Sequence, residues 1–204
     1  WTHQIKTPIA AMRLLLQEQE DAFSKEQQEE LFKIEQYAKM ALQYARLQNM
    51  SSDLVLKRYD VCQIVRQAIK SYSILFIGSG LSFSMEDFTC YIVTDEKWLS
   101  FVIEQLLSNA LKYTHSGGIH ISSDAYTLVI EDTGIGISES DLPRVFERGF
   151  TGYNGRIDKK STGIGLYLCR QILEKLGHTI TITSKIGVGT KVTLGFYQIE
   201  NHDM

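Results

Sequence analysis

The residues best equipped for chemistry in this 204-residue chain are a histidine, an asparagine helix and three glycine-flanked loops. His3 heads the run His3-Gln4-Ile5-Lys6-Thr7-Pro8, which places a titratable imidazole on the solvent side of an amphipathic helix. Thr7 follows one helical turn later, and Pro8 marks a bend. A helical histidine taken alone is ordinarily structural or simply exposed, so its meaning depends on what lies downstream. Asp132-Thr133-Gly134-Ile135-Gly136 follows an apolar strand: glycines there let backbone approach a ligand, and the carboxylate can accept from an amine. An ordinary turn can carry the same residues. Thr162-Gly163-Ile164-Gly165-Leu166 opens a helix, where exposed N–H groups and the helix dipole favour a phosphate. A hinge before a helix is the plainer reading. Gly187-Val188-Gly189-Thr190 is accounted for by a glycine hairpin.

Between the histidine and these loops, Gln105, Asn109, Lys112 and Tyr113 fall on one face of a helix. That face joins an oxygen ligand for Mg²⁺ (Asn109), a cation for phosphate and an aromatic ring for a base or sugar. Magnesium keeps waters and takes few protein oxygens alongside substrate phosphates, which suits such a sparse set. A surface amphipathic helix does not explain an Asn in so apolar a run.

The elements that must position these residues begin with two helical stripes. Ile5, Ile9, Met12 and Leu16 recur at helical steps, as do Leu31, Ile34, Ala38, Ala41 and Ala45. Ser24-Lys25-Glu26-Gln27 reads as a capping box between them, with Ser24 accepting from the Gln27 N–H. Two helices joined by a solvated turn form an antiparallel hairpin. Each then buries only one face, so a second copy completing a four-helix bundle is expected. The chain opens on Trp1 with the pattern already in phase, which predicts a piece of a longer protein.

From about residue 54 the pattern turns mixed. Residues 54–56, 90–93, 119–123, 128–130, 179–184 and 190–196 read as strands; helices are expected after Asp60, over 95–113 and over 165–176. Helices on one face of a mostly antiparallel sheet make an α/β sandwich, so the overall class is α+β. The stretch 143–162 is long for a loop inside a compact domain, which marks it as functional or mobile. Net charge of -3 gives no footprint of a nucleic-acid binder. Cys62, Cys90 and Cys169 have no metal or redox spacing and suit buried thiols in a reducing compartment. No apolar run reaches membrane-span length and no signal peptide is present.

A histidine helix, an asparagine helix and glycine boxes in this order resemble the sensor histidine kinases of bacterial two-component systems. The resemblance spans essentially the whole chain. It implies a dimerisation and phosphotransfer hairpin over 1–52 and an ATP-binding domain over 53–204, of the type shared with gyrase, the heat-shock ninety chaperone and MutL. His-Gln-Ile-Lys-Thr-Pro at 3–8, Glu-Gln-Leu-Leu-Ser-Asn-Ala-Leu-Lys-Tyr-Thr at 104–114, and Gly149-Phe150-Thr151-Gly152 before Asn154-Gly155-Arg156 carry a narrower likeness. They are similar to the intramembrane-sensing kinases of Gram-positive bacteria that answer cell-envelope antibiotics.

By that resemblance His3 is the phosphoacceptor for the γ-phosphoryl of ATP. Asn109 holds Mg²⁺ with Gln105 beside it, where many relatives carry Asn. Lys112 meets phosphate, Tyr113 lines the nucleotide, and Asp132 accepts from the adenine amino group. Gly134, Gly136, Gly163 and Gly165 shape the pocket, with Thr162, Leu166 and Thr190 along it. Residues 146–161 form an ATP lid anchored by Phe146 and Phe150; Arg148, Arg156, Lys159 and Lys160 are its candidate phosphate contacts. Gln4 departs from the family, which mostly places Glu or Asp after the histidine. Gln can accept from the imidazole Nδ1–H but cannot take up its proton. Thr7 is placed to orient water that hydrolyses an aspartyl phosphate, which implies a phosphatase activity. The partners implied are a second copy, a response regulator and, for the full-length protein, the bacterial cell membrane and a transporter, with this part in the cytoplasm. An ATPase or serine kinase of the same superfamily, or a regulator-binding scaffold without activity, are the competing readings.

Overall fold

A computed structural model describes residues 9–12, 14, 16, 22–124, 126–152 and 162–197. The chain divides into two compact units, Trp1–Ser52 and Asp53–Met204. In the first, residues 9–12, 14 and 16 are helical, and α1 (Ala22–Arg46) runs on into a 3₁₀ turn, Leu47–Ser52. The Gln28 side-chain amide donates to the Leu16 carbonyl at 2.9 Å, so α1 folds back beside the residues before it. Ser24 is not the cap expected of it, because α1 is already helical at Ala22. Its neighbours Ala22, Lys25 and Glu26 are good helix formers, and their propensity carries the helix past the serine. The expected apolar stripe is only partly covered: Leu31 is buried, whereas Ile34 is 53% exposed and Ala41 and Ala45 face solvent.

The second unit comprises β1 (Lys57–Asp60), α2 (Val61–Ser71), α3 (Ser73–Ser79), β2 (Ser82–Met85) and β3 (Tyr91–Thr94). There follow α4 (Glu96–Tyr113), β4 (Gly118–Asp124), β5 (Thr127–Asp132), a 3₁₀ turn (Leu142–Arg144), α5 (Gly165–Lys175), β6 (Thr179–Lys185) and β7 (Gly189–Gly195). Five strands form one sheet in the order β2-β4-β5-β7-β6, antiparallel except for β2 on β4. Alternate residues of the central strands (Ile119, Ile121, Leu128, Ile130, Leu194) are buried. So are Leu99, Val102, Ile103, Leu106 and Leu107 of α4 and Leu168, Ile172 and Leu173 of α5. α4 packs on β5, α2 and α5, which makes it the central helix of the layer. Burying each such side chain stabilises the sandwich by about 2 kcal/mol.

β1 and β3 form a separate antiparallel ribbon in which Lys57 pairs with Thr94. Residues 54–56 are therefore not the strand that their apolar character suggests. β3 ends at Thr94 because Asp95 begins α4, so nothing remains for them to pair with, and the Val55 N–H donates to Asp95 Oδ2 at 2.9 Å instead. The short elements α3 and β2 were not anticipated: neither carries a sustained apolar period, and β2 is a largely exposed edge strand.

Candidate functional site

α4 is the floor of the site, and its start is pinned by Asp95. The carboxylate, 4% exposed, accepts from the N–H groups of Lys97 at 3.0 Å and Trp98 at 3.2 Å while its other oxygen holds Val55. That side-chain cap satisfies donors the helix cannot pair internally. Beside the buried stripe of α4, Gln105, Asn109 and Tyr113 follow one another at four-residue steps, about 6 Å each. Gln105 is buried, and a Cβ on Gly165 would stand 3.1 Å from its Oε1, so the first residue of α5 sits on it. Asn109, Lys112 and Tyr113 are half-buried, with Lys112 Nζ 5.0 Å above the Tyr113 ring.

At the C-terminal end of α4 lies Asp132, the last residue of β5. Its Oδ1 accepts from the Gly134 N–H at 2.8 Å, and the Ile135 N–H donates to the Tyr113 carbonyl at 3.0 Å, which fastens this loop to the helix. Gly136, at φ 72, lies against the Lys185 backbone where no Cβ fits. Ser184 joins the same loop to the β6–β7 hairpin: its hydroxyl accepts from the Ile137 N–H at 2.9 Å and donates to the Gly189 carbonyl at 2.7 Å. It also lies 2.9 Å from the Thr190 hydroxyl, and Thr190 pairs with Asp132 in the sheet. Burial pushes the Asp132 carboxyl above its ordinary range, opposed by the N–H groups of Gly134 and Thr190. The result is a desolvated acceptor in a fixed direction, suited to an amine.

Gly163, at φ 65, packs on the Gly149 backbone at the other end, and the Gly149 N–H donates to the Gly163 carbonyl at 2.9 Å. α5 then begins at Gly165 with no side-chain cap among the described residues, and a helix start of this kind favours an anion. Thr162 Oγ1 accepts from the Ile164 N–H at 3.3 Å, and Leu166 is half-buried on the first turn. Arg144, Glu147, Arg148, Gly149, Phe150 and Thr151 line an open cleft of about 250 Å³. Arg144 Cζ lies 4.5 Å above the Phe150 ring and Arg170 Cζ 5.6 Å above that of Phe146.

Of the expected residues of the second unit, Asp132, Gly134, Gly136, Tyr113 and Thr190 gather at the C-terminal end of α4, Gly165 sits over Gln105 in the middle of that helix, and Gly163 packs on Gly149. His3, Gln4, Thr7, Arg156, Lys159 and Lys160 lie outside the described residues. Ser184, which holds the loop, escaped the sequence reading, and Asp95 was expected only as the start of its helix, without the bonds to Lys97, Trp98 and Val55. A lone Ser in a strand carries no signal, whereas Asp directly before an apolar helix is a cap signal that gives Asp95 away.

The family model for histidine kinase-, DNA gyrase B- and HSP90-like ATPases matches residues 94–200, from the end of β3 past the end of β7. The chain belongs to that family. Residues 94–200 are accordingly an ATP-binding domain of that type, and they include the α4 face and its glycine loops. Among curated proteins, the sensor protein BceS of Halalkalibacterium halodurans is 36% identical over 201 residues, covering 96% of this chain and 60% of the relative. The sensor histidine kinase YxdK of Bacillus subtilis is 34% identical over 205 residues, with 96% and 62% covered. The chain therefore spans about 60% of the length of these relatives. Among solved structures, full-length ShkA in complex with AMPPNP superimposes with a TM-score of 0.68 at 20% identity, over 97% of this chain and 45% of ShkA. Among the described residues, no helix is long and apolar enough to cross a membrane.

Proposed function

We propose that this chain is the kinase core of a two-component sensor histidine kinase, which phosphorylates His3 from Mg-ATP and passes the phosphoryl group to an aspartate of a response regulator. The observation that carries the nucleotide part is the bounded face of α4. Asp132 and Gly134 close one end, Gly165 covers the other, and Asn109 stands between. Asp132 accepts from the adenine amino group, Tyr113 lines the nucleoside, and the start of α5 with Lys112 and Arg148 meets the phosphates. Among the described residues no cluster of three or more His, Cys, Asp and Glu side chains offers a closed metal cage. A donor set of one amide oxygen, Asn109, fits an ion completed by substrate phosphates and water, as magnesium prefers. Mg²⁺ held there would supply neutralisation of charge on the transferring group.

His3 Nε2 attacks the γ-phosphorus with its lone pair, the bond to the bridging oxygen breaks, and ADP leaves. The imidazole then sheds its Nδ1 proton. Gln4 can accept that hydrogen bond but not the proton, so water or a carboxylate from elsewhere takes it. The regulator aspartate then displaces the phosphoramidate nitrogen, and Thr7 orients water for the reverse signal, hydrolysis of the aspartyl phosphate.

Residues 1–52 supply the dimerising phosphotransfer hairpin and residues 53–204 the ATP-binding domain. Exposure of Ile34, Ala41 and Ala45 along one side of α1 supports a second copy covering that side. The likeness to BceS and YxdK, of which the chain spans about 60%, supports a longer parent sensor protein; by the narrower resemblance of its motifs, that parent lies in the bacterial cell membrane, is coupled to a transporter and answers cell-envelope antibiotics, with this part in the cytoplasm. The deciding experiment incubates the chain with γ-labelled ATP and Mg²⁺. Acid-labile, base-stable label that vanishes in His3→Gln is expected. Nucleotide hydrolysis that persists unchanged in His3→Gln, with no such label, would make it an ATPase instead.

A further inference from the structure

Two phenylalanines flank Arg148, and each carries an arginine on its ring. Arg144 lies over Phe150, and Arg170, reaching across from α5, lies over Phe146. Neither arginine is left to swing. Arg144 is bound to Glu147 at 3.0 and 3.1 Å, and Arg170 to Glu174 at 2.8 Å, with Gln171 donating to the other oxygen of Glu174 at 3.1 Å. The backbone between the rings is fastened as well, through the Gly149 N–H on the Gly163 carbonyl. A planar guanidinium held by a carboxylate is well suited to rest on an aromatic face.

The geometry points to Arg144 and Arg170 as positioning residues for residues 146–151, which they hold at the phosphate end of the site through Phe150 and Phe146. Residues 146–151 are thereby clamped at both ends of Arg148, so the direction of its backbone is set by two ring contacts. Glu147 and Glu174 keep the clamping guanidiniums on the rings. Both clamps are about half-exposed, so they adjust geometry without holding the core together. Their loss should fall on the terminal phosphate, the part of the nucleotide farthest from Asp132. This inference rests on the nucleotide reading of the site.

The test compares AMPPNP and ADP binding, with MgCl₂, by calorimetry on the whole chain. Arg144→Ala and Arg170→Ala should each weaken AMPPNP roughly 5- to 10-fold while leaving ADP within about twofold, a loss confined to the terminal phosphate. Arg144→Ala combined with Phe150→Leu should cost no more than either alone, because the arginine acts through the ring. Arg144→Lys and Arg170→Lys keep the charge without the planar stack and serve if the alanine variants melt at the assay temperature; intermediate losses are expected of them. Equal weakening of both nucleotides, no weakening, or additive effects of Arg144→Ala and Phe150→Leu would overturn the clamp. A wild-type chain that binds neither nucleotide would overturn the nucleotide reading itself.

Discussion

At Asp132 an accepting carboxylate is bought at the expense of stability. Burial raises its pKa in the folded state above the ordinary 3.8, so between those values the folded chain binds more protons than the unfolded one. Its contribution is therefore most favourable below pH 3.8 and is lost as pH rises through the folded pKa; at neutral pH the charge opposes folding. Asp132→Asn should leave the melting temperature unchanged or higher. With the amide oxygen taken by the Gly134 N–H, its NH₂ would face the adenine amine, donor against donor. ATP affinity should then fall roughly 10- to 100-fold, as loss of a charged hydrogen bond does. Thermal melts and calorimetry on the same variant separate the two effects. Gln4 is the other residue whose chemistry is exposed to test. Installing an acid beside His3 supplies the missing proton acceptor, so Gln4→Glu should speed autophosphorylation by roughly 100-fold or more, the usual range for general-base assistance. An unchanged initial rate of labelling would show that the proton leaves by another route.

Among the elements, α4 carries the greatest load, since it packs on β5, α2 and α5 and also bears the candidate site residues Gln105, Asn109 and Tyr113. Asp95 governs where it begins and simultaneously anchors the segment before β1. Replacing Asp95 by Ala should destabilise the second unit by about 2 kcal/mol, more than a simple cap loss, because Val55 also loses its acceptor. Denaturant titration of wild type and variant reads this directly. Asp95, the alternating strands β4 to β7 and the helices α2, α4 and α5 were legible, because cap chemistry and apolar periodicity are local. The apolar residues 54–56 misled for a reason no local pattern contains: a strand needs a neighbour, and β3 has already ended where they would pair. Ser24 misled in the opposite direction, through a good capping sequence embedded among stronger helix formers.

For the whole molecule, the uncovered stripe on α1 makes the strongest demand. Ile34, half exposed in a single chain, lies on the same side as Ala41 and Ala45. Ile34→Glu should convert a dimer to monomer, by sedimentation or light scattering, with little loss of stability in the second unit. If the variant stays dimeric, the second copy sits elsewhere. The sequence alone determined the ATPase family, through the resemblance its asparagine helix and glycine boxes carry, and it singled out candidate site residues around Asn109, Asp132 and the glycines, because side-chain types at short spacings are local. Only the tertiary structure decided that Gly165 rests on Gln105, that Ser184 and Tyr113 hold the Asp132 loop, and that Arg170 reaches Phe146. Each of these contacts joins residues brought together by helix and sheet packing, and no local spacing records where distant segments of a folded chain will meet.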